Sequence, residues 1–337
     1  MAGQAGSHRA PAEQSPLLLI LGFVLVAGLL FGLFKVVDPG GGDAEPTAAI
    51  VSETTTSATT TAPTTEPEAK VQQGLTLEPV PAPVCEDVQV ETEITVLSYN
   101  IKSARIGGGI GAYLGVIANS GADVVLLQEV DKFRHTSNQI DQAGWLADNL
   151  GGWYDAFGAN VDYGGGLYGT AIISRYPILS SENTHLPNGP GGQQRGLLHA
   201  VIDVDGVEVS LYNTHLQNKI DYLKVAQARA IAPIIAADDR PRILGGDFNS
   251  MVGDTPLSTI IGGAGMTDTW GAVGIGSGLT HPSSNPRGRI DLLLHGGDGI
   301  TAISSDVLPA TNSDHRAVRA TYAVDGVAAK VCGDLYG

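Results

Sequence analysis

The chain has 337 residues, a formal charge of −16, 45 glycines and few aromatics. That length holds one large domain or two small ones, and the glycines promise many turns. From Cys85 onward 16 Lys/Arg face 27 Asp/Glu, a charge of −11; this disfavours tight, nonspecific binding of a polyanion through a broad basic face, but not a phosphate site built around a bound dication, which inverts the local charge.

In chain order, residues 1–16 read as a short cytoplasmic tail. Leu17–Phe34, LLLILGFVLVAGLLFGLF, is an 18-residue run without a charge. It is about 27 Å long as a helix, and Val36 and Val37 extend it to a bilayer's thickness with Lys35 snorkelling. The run is long for a signal-peptide core and lacks a small-x-small cleavage site, so an uncleaved anchor over residues 17–37 is the expectation. Positive-inside bias is weak here; the cysteines and the following linker favour N-terminus in and domain out, a single-pass protein with an extracellular domain. Gly28 and Gly32 form a GxxxG that permits helix pairing, but such glycines are common in membrane helices and a monomer is expected. Residues 38–84, with TTTSATTTAPTTEPEA and PVPAPV, lack apolar periodicity and are predicted to be a disordered stalk, of a composition that suits O-glycosylation.

The domain is expected over residues 85–337. Strands are predicted at ITVLSYNI, DVVLLQEV, YGTAIISRYPI, LLHAVIDV, VEVSLYNTHL, RILGGDFN, RIDLLLH and HRAVRATYAV, with a two-residue hairpin turn at Asp205-Gly206. Helices are predicted at Ala112–Asn119, Ala143–Leu150 and Lys219–Ala237. Hairpins mixed with crossover helices imply a mixed α/β sheet domain without internal repeats. Cys85 and Cys332, the two cysteines present, lie near the domain's two ends. A disulfide between them in an oxidising compartment is expected. Closing a loop of roughly 250 residues stabilises by up to about 5 kcal/mol on the chain-entropy view.

Polar residues gather where apolar strands end: Asn100, Glu129, Asn213 with His215, Asp247 with Asn249, Asp291, and Asp314 with His315. Each alone has an ordinary reading as a turn former, a solvated charge or a structural histidine. Six strand ends so furnished point instead to one shared site at a sheet edge. Gly164-Gly165-Gly166 lacks a GK[ST] ending and reads as a loop, not a phosphate-binding P-loop.

Asn100 in LSYNI, Glu129 in LLQEV, NTHL, GGDFNS, RIDLLL and SDHRAV, in this order, resemble the endonuclease/exonuclease/phosphatase superfamily over about Glu93 to Val324. The resemblance implies a four-layer α/β/β/α sandwich of the DNase I-like kind. It implies Mg²⁺ or Mn²⁺ held by Glu129 and Asn100, with Asp314 near it, a ligand set suited to a hard cation. His315 is implied as the base on the attacking water, oriented by Asp291. Asp247 and Asn249 position the nucleophile and a phosphate oxygen, and His215 donates to the phosphate; the leaving-group acid stays open among His215, Asp247 and metal-bound water. Arg195 is a candidate phosphate partner, and Tyr168 or Thr170 a candidate polar contact.

The substrate is open within this reading. The acidic domain shows neither the basic, aromatic wedge of a minor-groove nuclease nor an apolar hairpin for lipid docking. A phosphodiesterase or phosphatase for small phosphorylated groups therefore ranks first, with Arg195, Arg287 and Arg289 as a candidate basic pocket. A DNase I-like nuclease ranks second, nucleic acid being allowed but not favoured, and a catalytically silent binding module last.

Overall fold

The computed structural model describes residues 85–332, with side chains from 88 to 326. The predicted tail, anchor and stalk lie outside the described residues. Among the described residues no helix is long and apolar enough to cross a membrane.

The elements in chain order are β1 (Cys85–Asn100), α1 (Ile110–Ala118), β2 (Val124–Lys132), α2 (Gln142–Asn149), β3 (Tyr154–Asp162), β4 (Leu167–Ser174), β5 (Ile178–His185), β6 (Gly196–Val204), β7 (Val207–His215), α3 (Asp221–Ala236), β8 (Arg242–Asp247), α4 (Thr255–Ala264), β9 (Thr267–Asp268), α5 (Thr269–Val273), β10 (Asp291–Gly296), β11 (Ile300–Val307) and β12 (Val318–Cys332). They form two six-stranded sheets, β11-β12-β1-β2-β4-β3 and β5-β6-β7-β8-β10-β9. Each sheet contains one parallel pair, β1 with β2 and β7 with β8. A parallel neighbour needs a crossover, which α1 and α3 supply.

Strand alternation sends side chains to two faces and so builds three cores. Ile94, Val96, Leu126 and Ile172 of the first sheet meet Leu198, Leu211, Ile243 and Leu293 of the second. Leu97, Val125 and Ile173 face outward onto Tyr113 and Ile117 of α1 and Leu146 of α2. Leu197, Tyr212, Leu244 and Leu294 face outward onto Ile231 and Ile235 of α3 and Ile260 of α4. Helices, sheet, sheet, helices is the four-layer α/β/β/α order expected.

The hairpin prediction holds: Val204 pairs with Val207 around Asp205 and Gly206, both at positive φ. Other boundaries differ. YGTAIISRYPI is not one strand, because β4 stops at Ser174 and β5 begins at Ile178. The edge strands β3, β5 and β11 are polar and largely half-exposed, so they carry little apolar alternation. β1 and β12 run past the sandwich as a long antiparallel ribbon whose end register pairs Cys85 with Cys332. The side chains of these two cysteines lie outside the described ones, so the structure shows their backbone register and not the expected disulfide.

The two sheets are locked together near one end by buried amides. Asn213 Nδ2 donates to the carbonyls of Leu127 and Ala171, both at 2.8 Å, and its Oδ1 accepts from Gln128 Nε2 at 2.8 Å. Asn213, which ended a predicted strand beside His215, therefore bridges the layers instead of entering the site.

Candidate active site

Both parallel pairs deliver polar residues at their C-terminal ends, and both deliver them to the same edge of the sandwich. Asn100 ends β1 and Asp247 ends β8. Asn100 Nδ2 bridges them, donating to Glu129 Oε1 at 3.1 Å and Asp247 Oδ2 at 3.0 Å. The Gly245-Gly246 pair permits this approach. A Cβ on Gly246 would strike the Thr214 carbonyl of β7, and one on Gly245 would strike Leu126 of the facing sheet.

Glu129 lies inside β2, as in the predicted strand DVVLLQEV, and sits at a bulge. The β2–β4 register shifts between Gln128 and Val130, and Glu129 has φ 56. A bulge leaves one residue unpaired and re-aims its side chain. Here it turns a carboxylate out of the buried ladder into the cleft. Lys102, Ser103, Ala104 and Asn249 also have positive φ, so costly left-handed backbone clusters around this site, as it does at functional sites generally.

Asp247 Oδ2 is the centre of the arrangement. Besides Asn100, the Nε2 atoms of His215 and His315 lie 3.4 and 3.7 Å from it, while its Oδ1 accepts from the Asn249 amide at 2.9 Å. Burial, and then the neighbouring Asp291, push its carboxyl pKa up. His315 Nδ1 lies 2.9 and 3.0 Å from the two oxygens of Asp291. A carboxylate can only accept, so Nδ1 carries a proton and Nε2 faces the cleft. Burial works to lower the His315 pKa, but the charge and hydrogen bond of Asp291 outweigh it and carry it to about 9.

His215 has the opposite polarity. Its Nδ1 lies 3.0 Å from Arg195 Nη1; a guanidinium only donates, so the His215 proton is on Nε2. Burial, and then Arg195, lower its pKa well below the ordinary value, making it a neutral N–H donor. Arg195 itself is 5% exposed. Its Nε has no partner, and among the described residues it forms no ion pair with a carboxylate.

A cleft of about 400 Å³ is lined by Glu129, Arg195, His215, Asp247, Asn249, Asp314 and His315 among the expected residues. Asn100 and Asp291 are buried behind it. Lys102, Asn218, Lys219, His281 and Ile290 complete the lining and were not anticipated. His281 stands with its ring centroid 4.6 Å from that of His315. Its sequence signal is slight, one histidine in a Gly/Ser-rich stretch. Lys102, two residues after the Asn of LSYNI, was the more findable omission.

Three expectations need correction. Arg289 is not part of a basic pocket: it makes a two-point pair with Asp268, both contacts 2.7 Å, and stacks over Trp270. Arg287 is exposed and absent from the cleft lining. The cleft's cations are Arg195, Lys102 and Lys219. Tyr168 is buried behind the cleft, with its phenol beside Arg195 and Glu129; burial raises its pKa. It supports Arg195 and does not line the cleft. Thr170 is fully buried in β4.

The residues fit a hard divalent cation. Glu129, Asp247 and Asp314 bring three carboxylates to one cleft, with amide oxygen and imidazole alongside, an oxygen-rich donor set of the kind such ions take. Glu129 has only the Asn100 amide on its carboxylate.

Comparison with known proteins agrees with this arrangement. The family model described as endonuclease/exonuclease/phosphatase family matches residues 97–315. The chain is 33% identical over 144 residues to YbhP of Escherichia coli, covering 38% of this chain and 54% of that one. It is 29% identical over 153 residues to protein cwh43 of Schizosaccharomyces pombe, covering 43% of this chain and 15% of that one. The chain thus spans about half of the first relative and far less of the second. The solved mannosyl-6-phosphatase of Bacteroides thetaiotaomicron shares the fold, with a TM-score of 0.57, 19% identity, and coverage of 68% of this chain and 99% of that one. With its strands, its cleft and two thirds of its length matched, the chain belongs to the endonuclease/exonuclease/phosphatase family.

Proposed function

We propose that this protein is a metal-dependent hydrolase of small phosphate esters, a sugar phosphate or a phosphorylated headgroup. The observation that carries this reading is the pairing of two oppositely prepared imidazoles across Asp247. His315, fixed by Asp291, turns Nε2 toward the cleft to take a proton from water. His215, backed by the buried Arg195, presents a neutral Nε2–H to a phosphate oxygen. Glu129, with Asn100 beside it, would hold Mg²⁺ or Mn²⁺, which supplies Lewis-acid polarisation of the phosphoryl group. Asp247 and Asn249 hold the water in line. Arg195 places a guanidinium near the phosphate, and its missing carboxylate partner leaves that charge for an anion.

The lining of the cleft favours a polar substrate. Ile290 is its one aliphatic residue, and its only rings are imidazoles. Strand-tracking nucleases stack bases on aromatic rings within a basic groove, and this acidic domain offers neither at its cleft. The fold relationship to a mannosyl-6-phosphatase agrees with a phosphorylated polyol. A nuclease is the second reading, and a silent binding module is disfavoured by the filled positions.

The test is a substrate panel on the full chain with Mg²⁺: hexose phosphates, phosphorylated lipid headgroups, bis-p-nitrophenyl phosphate and plasmid DNA. Turnover of small esters far above plasmid nicking, abolished by EDTA, is the expected result; nicking that outpaces every small ester overturns the ranking. In the same assay Arg195→Met should lower kcat/KM about 10²-fold, the loss typical of one preorganised charge donor, and a loss below about threefold would remove Arg195 from the phosphate site.

We further propose that residues 17–37 anchor the chain in the membrane, with residues 38–84 as a stalk and the domain outside the cell. Cys85 and Cys332, register partners at the ribbon end, are then disulfide-bonded. Intact mass of alkylated protein should show no alkylated cysteine before reduction and two after it; two alkylated thiols before reduction would refute the bond.

A further inference from the structure

Besides Glu129, the site contains two groups of metal-competent side chains that share His315. The first is Asp247, Asp291 and His315, already engaged with one another as the base, its anchor and the carboxylate at its Nε2. The second is His281, Asp314 and His315; in each group the ligand atoms lie within 4.8 Å of one another. In two-metal hydrolases a pair of cations brackets the attacking and leaving oxygens. Here the second group already has a cation of the protein's own: Lys102 Nζ donates to Asp314 Oδ2, and Lys102 lines the same cleft as Glu129 and His215.

The backbone is built to put it there. Lys102, Ser103 and Ala104 have φ of 48, 53 and 51, three consecutive left-handed residues with no glycine among them. Side chains disfavour that conformation, so it persists only where the surroundings over-determine it. They do. The Lys102 amide donates to Asn100 Oδ1 at 3.1 Å. Ser103 Oγ donates to Asp131 Oδ1 at 2.9 Å, and Gln142 Nε2 donates to the Ser103 carbonyl at 2.8 Å. Ser103 and Asp131 are buried. A solvated surface lysine needs none of this. A lysine that must reach one carboxylate inside a cleft does.

We infer that Lys102 supplies the second positive charge of this site, seated on Asp314 where a second metal ion would otherwise bind, so that the protein works with one bound divalent cation. The inference rests on the metal-dependent reading above. An ammonium on Asp314 cancels the charge that would attract a second dication, and its donors remain available to a phosphate oxygen. It also carries no open coordination position, so the attacking water is left to His315 and Asp247.

The test is Mn²⁺ titration of the full chain, with free Mn²⁺ read by electron paramagnetic resonance. Wild type should bind one Mn²⁺. Lys102→Met should bind two, and so should Lys102→Gly, which suits the positive φ and keeps the turn foldable. Lys102→Arg keeps the charge and should stay at one. In Lys102→Met, kcat/KM should fall about 10²-fold, as for other charge donors at a developing phosphoryl charge. Two Mn²⁺ in wild type, or one in both neutral variants, overturns the inference. No Mn²⁺ bound by wild type overturns the metal-dependent reading itself and this inference with it, an outcome distinct from the other two.

Discussion

His315→Ala should abolish nearly all turnover, lowering kcat/KM by about 10³- to 10⁴-fold, the upper range for loss of a positioned acid–base group. The fold should survive, because His315 lies in the loop before β12 and not in a core. Near-wild-type far-UV circular dichroism is therefore part of the expected result. Asp291→Asn tests the same pair through pH. Asp291 raises the His315 pKa to about 9 against the opposite pull of burial. Asp247 and Asp314 still raise it, but without the larger Asp291 charge the pKa falls, and the base form of His315 is present at lower pH. The rising limb of the kcat/KM profile should therefore move to more acidic pH in Asp291→Asn, while the plateau drops because a neutral amide no longer stabilises the imidazolium that forms. An unmoved limb in Asp291→Asn, or a His315→Ala enzyme within tenfold of wild type, would remove His315 from proton transfer.

The legible part of the site was the part carried by strand ends. Asn100, His215, Asp247 and Asp291 terminate or open apolar strands, so a polar residue there stands out against its neighbours, and the structure brings all four together. Glu129 was found for the same reason, inside the predicted strand DVVLLQEV, but the bulge that turns it toward the cleft was not foreseen. The bulge has no compositional mark. Lys102 and His281 escaped because they sit on irregular backbone, where no periodicity separates a functional side chain from a solvated one. Arg289 failed in the other direction. Its neighbour in space, Asp268, is 21 residues away in sequence, and a charge pair between distant segments cannot be read from either one. The fold behaved similarly. Buried strands with continuous apolar runs, such as β2, β4 and β8, were evident, while the half-exposed edges β3, β5 and β11 were not. Edge strands need only one paired side, and their polar sequences guard the free one.

The strongest structural dependence lies beneath Glu129 and Asn100, in the buried pair of Arg134 and Asp131. Both are essentially inaccessible, and Arg134 Nη1 donates to Asp131 Oδ1 at 2.6 Å. Arg134 Nε donates to the Tyr163 carbonyl at 2.8 Å, and its guanidinium stacks over the Tyr163 ring at 4.2 Å. Asp131 also accepts from Ser103 Oγ, and its amide donates to Gln142 Oε1 at 2.8 Å. Asp131, fixed by this ion pair, thus ties the strand two residues beyond Glu129 to the turn at Ser103, three residues beyond Asn100. Arg134→Met should leave the buried Asp131 with the half-exposed Arg105, 3.7 Å away, as its remaining ion-pair partner, and cost about 3 kcal/mol in urea denaturation, the lower end of the usual penalty for breaking one side of a buried pair. Arg134→Met/Asp131→Asn removes both charges and keeps an acceptor for Ser103, so it should recover at least half of that loss. Because the pair lies beneath the proposed metal-holding residues Glu129 and Asn100, Arg134→Met should also weaken Mn²⁺ binding by about 10- to 100-fold, as loss of outer-shell support does. A single-variant cost below about 1 kcal/mol, or a double variant no more stable than the single, would show that the pair is not what holds the floor of this site.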